Sequence, residues 1–183
     1  MNDFLPQGYE PPKATGKYTR FEDGKTTRVR VMCSPVIGWE YWDKVTTNKP
    51  VRLPYNEESY KFAVSEAKKN PDQSKDGKVS HFWAMVVWNY DSKQLEIMQI
   101  TQKTIQSSIR NYAADEEYGS PINYDLKITK KKDGDKTNYE IMTGVPKAAP
   151  DEALSEFAKW DINLRALFLC KDPFDTTWVE EFE

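Results

Sequence analysis

Cysteine is nearly absent from this 183-residue chain, which has only Cys33 and Cys170. Two thiols cannot build the disulfide framework of a small secreted domain. Histidine is scarcer still, with His81 alone. A zinc site needs about four ligands at close spacing, and Cys33, His81 and Cys170 are scattered. No apolar run approaches the roughly 18 residues that cross a bilayer. The opening MNDFLPQGYEPP has no basic stretch followed by an apolar one, so no secretory leader is expected. These absences point to a soluble, intracellular protein of the cytoplasm with no membrane partner.

Catalytic constellations are missing too. Gly24-Lys25-Thr26 would fit a phosphate loop only with a glycine five residues earlier, and that position is Thr19. His81 has no Ser or Cys partner at a nucleophile turn. Asp115-Glu116-Glu117 falls in a polar loop and reads as a solvated turn. The expectation is a protein that is not an enzyme and needs no cofactor or metal.

Aromatics are plentiful: 6 Trp, 10 Tyr and 8 Phe make 13% of a chain that is only 38% hydrophobic. Such a chain has rings to spare for a surface. Charge is polarised beneath a net −3, because residues 1–149 balance to +3 and residues 150–183 to −6. Residues 17–55 hold 8 basic against 4 acidic side chains. A basic body with an acidic end suggests an anion-binding surface and a separate acidic segment.

Residues 1–16, with Pro6, Gly8, Pro11, Pro12 and Gly16, read as an irregular arm. Lys17–Phe21 reads as a short strand joined by the Asp23-Gly24 turn to the next. There Val29, Val31 and Cys33 alternate with Arg28, Arg30 and Met32, giving one buried and one exposed face. Val36–Trp42 is a second, aromatic-rich strand. Residues 43–80 are polar and read as an insertion, with a helix over Asn56–Lys69 capped by Asn56. His81–Tyr90 is apolar almost throughout, as a central strand would be. Gln94–Ile100 follows as a strand, and Thr101–Ala113 as a helix capped by Thr101. Tyr124–Lys132 and Thr137–Val145 form a hairpin across Asp133-Gly134. Residues 150–170 read as a helical extension and 171–183 as an acidic tail.

Strands, then a helix, then two closing strands is the order of a five-stranded OB barrel. The expected fold is mainly β with helices, an OB domain over residues 17–149 with the insertion 43–80 and a helical C-terminal extension. One strand more than that order needs precedes the helix.

Cations interleaved with rings on strands suit single-stranded nucleic acid, since Lys and Arg follow phosphates while aromatic faces stack bases. The candidate phosphate contacts are Arg28, Arg30, Lys44, Arg52 and Lys127. The candidate stacking rings are Trp39, Tyr41, Trp42 and Trp88. Trp39 and Tyr41 share parity, and the pattern leaves core and surface equally open for them. Trp42, followed by Asp43 and Lys44, is expected at the surface. Trp178 and Phe182, among Glu180, Glu181 and Glu183, could serve a protein partner or form part of a tail that competes for the basic groove.

Gly38-Trp39-Glu40-Tyr41-Trp42, Asn48-Lys49-Pro50-Val51-Arg52, His81-Phe82-Trp83, the run Ile100–Gln106 and the run Tyr124–Lys130 together carry a resemblance. From about Tyr18 to about Pro146 the chain resembles bacteriophage single-stranded DNA-binding proteins of the OB-fold type. The resemblance implies sequence-independent binding of single strands during phage DNA replication, recombination or repair. It also implies an acidic tail that recruits replication proteins. Some phage proteins of this function carry a structural zinc, whose ligands this chain lacks. The competing expectation is a non-catalytic adaptor, a virion or replication accessory protein using exposed aromatics.

Overall fold

The computed structural model describes residues 18–175 and 177. Seven strands form one antiparallel sheet: β1 (Thr26–Val31), β2 (Val36–Asp43), β3 (Lys49–Pro54), β4 (Val79–Asn89), β5 (Gln94–Ile100), β6 (Asp125–Asp133) and β7 (Lys136–Thr143). The helices are α1 (Glu57–Ala67), α2 (Gln73–Asp76), α3 (Lys103–Ala114) and α4 (Asp151–Phe157), with 3₁₀ turns at Pro121–Asn123 and Leu164–Leu169. Among the described residues no helix is long and apolar enough to cross a membrane.

β4 organises the sheet. Val36–Tyr41 of β2 and Val29–Val31 of β1 pair with successive stretches of it, Ala84–Val79 and Asn89–Val87. The two strands therefore lie end to end along one edge of β4, broken at Ser34-Pro35. β5 takes the other edge. β3 extends the sheet beyond β2, and the β6–β7 hairpin extends it beyond β1.

Both faces of β4 are covered, which is why its sequence is apolar without alternation. On one face Val29, Val31, Met85, Val87, Met98, Ile100, Leu126 and Ile128 pack against Ile105 and Ile109 of α3. On the other, Phe82, Ala84, Val86, Trp88, Leu95 and Ile97 pack under Ala153 of α4 and Leu164 and Leu167. A third, smaller cluster sets Tyr41 against Ala63 and Ala67 of α1.

Several expectations change here. The expected five-stranded barrel is an open sheet, with no ladder between β5 and β7 among the described residues. The free edge of β5 meets the incoming chain instead, where Tyr18 bridges Ile97 and Thr19 N donates to Ile97 O at 2.9 Å. Lys17–Phe21 shows no strand in its described part, only that isolated bridge. The stretch 43–80 contains the strand β3 as well as α1. Pro50 and Pro54 disguise β3 in the sequence, and proline is tolerated there because β3 lies at the sheet edge. Asn56 caps α1 as expected, its side chain accepting from Ser59 N at 2.7 Å. Thr101 does not cap α3, because the helix begins two residues later, after Gln102, without a side-chain cap.

Gly38 is required by close approach. A Cβ there would lie 2.1 Å from the Leu53 carbonyl oxygen and 2.9 Å from the Phe82 ring. Gly38→Ala must push β3 off β2, and a loss of at least about 1–3 kcal/mol is expected in a denaturant titration.

Candidate functional site

Four rings gather where β2, β4 and the start of α1 meet. Trp39 of β2 stands opposite His81 of β4 and Leu53 of β3. Its ring centroid lies 5.2 Å from Tyr55, stacked at 27°, 4.6 Å from Tyr60 and 5.3 Å from His81. Tyr55 and His81 are 5.0 Å apart. Tyr55 is 55% exposed and Tyr60 42%, so the cluster is a surface feature. Trp39 Nε1 donates to the Asn56 carbonyl at 3.2 Å, which ties the indole to the cap of α1.

Register places exposed Ile37 beside Trp83, two residues along from the Trp39–His81 pair. Strand side chains alternate, so Ile37, Trp39, His81 and Trp83 share one face of the sheet. Gln106 of α3 donates to the carbonyls of His81 (3.1 Å) and Ile100 (3.0 Å), fixing α3 alongside this strip. Burial lowers the His81 pKa against a smaller opposing effect of the Gln106 side chain. The His81 Nε2 is buried and has no hydrogen-bond partner among the described residues.

Of the rings expected from sequence, Trp39 joins this cluster and Trp42 is exposed elsewhere, on the opposite parity of β2. The Trp42 ring lies 4.7 Å below the Lys44 ammonium, and its Nε1 donates to Asn48 Oδ1 at 3.3 Å. Asp43 shapes that turn by accepting the amides of Val45, Thr46 and Thr47, and these bonds lower its pKa. Tyr41 and Trp88 are buried and offer no face for stacking. Tyr41 is covered by α1, and Trp88 lies under the C-terminal helices.

The cations divide similarly. Arg30, expected on an exposed face, is wholly buried. It donates to Asp125 Oδ1 at 2.7 Å and to the carbonyls of Ile122 and Lys147. Arg28 remains part-exposed, paired with Asp125 and seated 4.2 Å over the Tyr90 ring. Arg52 is only 13% exposed and is neutralised by Glu40 at 2.9 Å, with Gln99 as a further partner. Lys127 is exposed opposite Arg28 and makes no ion pair among the described residues. Arg30 stands opposite Trp88, so the Arg28–Lys127 pair belongs to the other face of the sheet from Trp39. Of the expected cations and rings, the structure brings Lys44 onto Trp42, while Arg28 and Lys127 lie on the other sheet face from Trp39. Trp178 and Phe182 lie outside the described residues. Nearby among the described residues, Phe174 packs on the second core and meets Trp160 edge-on at 5.8 Å.

Tyr55, Tyr60 and His81 were not legible as site residues. Tyr60 sits on the apolar stripe of α1, where it reads as core. His81 had a usable signal, since its parity in β4 is opposite to that of buried Phe82 and the same as that of Trp83.

Set against family models, curated proteins and solved structures, the chain matches none.

Proposed function

We propose that this protein binds single-stranded DNA without sequence preference and without catalysis, in phage DNA replication, recombination or repair. The observation that carries this is the half-exposed cluster of Trp39, Tyr55, Tyr60 and His81 on one sheet face. Neutral aromatic faces stack on any base, at about 1–3 kcal/mol each. The sequence resemblance supports the same reading, with the acidic tail as a contact for replication proteins.

The ladder order supports an OB-type core. β1 and β2 together stand for a first strand along β4, β5 follows, α3 comes next, and the β6–β7 hairpin returns to β1. In OB folds the face of strands 2 and 3 takes oligonucleotides. The corresponding surface of β4 and β5 that carries Phe82, Val86 and Ile97 is buried under α4 and the Leu164–Leu169 turn. The ring face is the open alternative.

Exposed Ile37, on the same sheet face as Trp39, favours a second reading, a surface for a partner protein. Salt separates the two. The anisotropy of a labelled oligothymidine should report tighter binding than a duplex of equal length. Log K should fall with log salt by about 0.7 per phosphate neutralised. Equal affinity for duplex, or no binding, contradicts the proposal.

A further inference from the structure

Trp83, two residues along β4 from His81 and on the same face, lines a cavity. Beyond Trp83 the same sheet face opens into a space of about 280 Å³, walled by Val31, Trp83, Met85 and Ile109, with Pro121 and Arg110 also lining it. The lining is almost wholly apolar, and Arg110 is its only charged member among the described residues. Arg110 is exposed and has no ion pair among the described residues. Lys103, seven residues earlier on α3, lies on the same helix face and is likewise exposed and unpaired. Helix α1, on the other flank, opens with Glu57 and Glu58.

Resting on the single-strand reading above, we infer that this cavity takes one unstacked nucleobase of the strand that crosses the ring cluster. The next phosphates then lie along α3, on Arg110 and Lys103. Three observations select this occupant. The cavity is close to the rings along the sheet, because Trp83, which lines it, is two residues from His81 on one face of β4 and opposite Ile37 of β2. It is flanked by an indole, which suits a flat π-system. Its charge is complementary, since among the described residues the only lining charge is the Arg110 guanidinium, without an ion pair, at an apolar slot, as a base attached to a phosphate requires. Gln106 and Ile109 of α3 contact the two ends of this path, His81 and the cavity, so one rigid helix sets the distance between stacked base and inserted base.

Ala113 lines the cavity from the last turn of α3 and is itself exposed, so Ala113→Phe fills the space with little cost to the fold. With oligothymidine as the probe, Ala113→Phe should weaken binding about five- to a hundredfold at unchanged salt slope. Arg110→Ala should lower the slope by about 0.7. In the unaltered protein, oligothymidine carrying 5-iododeoxyuridine should photocrosslink to Trp83 or Met85, read by mass spectrometry of the peptides. If the protein binds no single strand at all, both this inference and the proposed function fail. If it binds, and Trp39→Ala weakens binding, but Ala113→Phe binds normally and no adduct forms at Trp83 or Met85, the inference alone is overturned.

Discussion

Asp125→Asn is expected to destabilise the protein by about 3–5 kcal/mol, the cost of leaving a buried charge without its counter-ion. Asp125 is buried at the head of β6. Its Oδ2 accepts from Arg28 Nε at 3.0 Å, and its Oδ1 from Arg30 Nε at 2.7 Å and from the Tyr90 hydroxyl at 2.8 Å. The Lys147 ammonium is 3.5 Å away. Among the described residues the wholly buried Arg30 has no other carboxylate. Burial pushes the Asp125 carboxyl up. Hydrogen bonds from Arg28, Tyr90 and Arg30, with the Arg30 charge, outweigh that and hold it at about 2.

A carboxyl with a depressed pKa stabilises the fold above its unfolded value, near 3.9, and loses that contribution as pH falls through the folded value. About 2–3 kcal/mol should therefore disappear between roughly pH 4 and pH 2, and this slope should be missing in Asp125→Asn. Urea midpoints across that window measure both. A loss below about 1 kcal/mol at neutral pH would show that Arg30 is satisfied without Asp125.

Replacing Trp39 and Tyr55 together by alanine is expected to weaken oligothymidine binding by about 2–6 kcal/mol, one stacking contribution from each ring. The two stack on each other at 5.2 Å, and Tyr55 is open to solvent. No charge is removed, so the salt slope should stay constant. Trp88→Ala supplies the contrast. Trp88 is buried in the second core, so its loss should cost about 3–5 kcal/mol of stability and leave the ring face intact. If the double variant binds as tightly as the unaltered protein, the rings are not where bases stack.

Arg30 shows why the fold was more legible than the site. Alternation with Val29 and Val31 correctly gave a strand, but it could not say what covers the second face. That face is closed by the C-terminal segment and by Asp125, 95 residues away. The hint was Asp125 itself, the carboxylate at the start of a strand otherwise rich in lysine. β4 and the β6–β7 hairpin were readable because continuous apolarity and a Gly turn are local signals, and Gly134 indeed has a positive φ of 57°. Barrel closure was not readable, because it depends on a pairing between β5 and β7 that no local pattern encodes. The ring cluster was only partly readable. Trp39 lies in an aromatic-rich strand, but Tyr55 and Tyr60 reach it from a segment read as a polar insertion.

The most direct test of the central claim compares tryptophan emission in the unaltered protein and in Trp39→Phe during titration with oligothymidine. Phenylalanine keeps a stacking face but removes the reporting indole. Stacking of a base on Trp39 predicts saturable quenching in the unaltered protein. In Trp39→Phe the affinity should stay within a few-fold while the part of the quenching due to Trp39 is lost. Equal quenching in both proteins, or none in the unaltered one, would contradict the account.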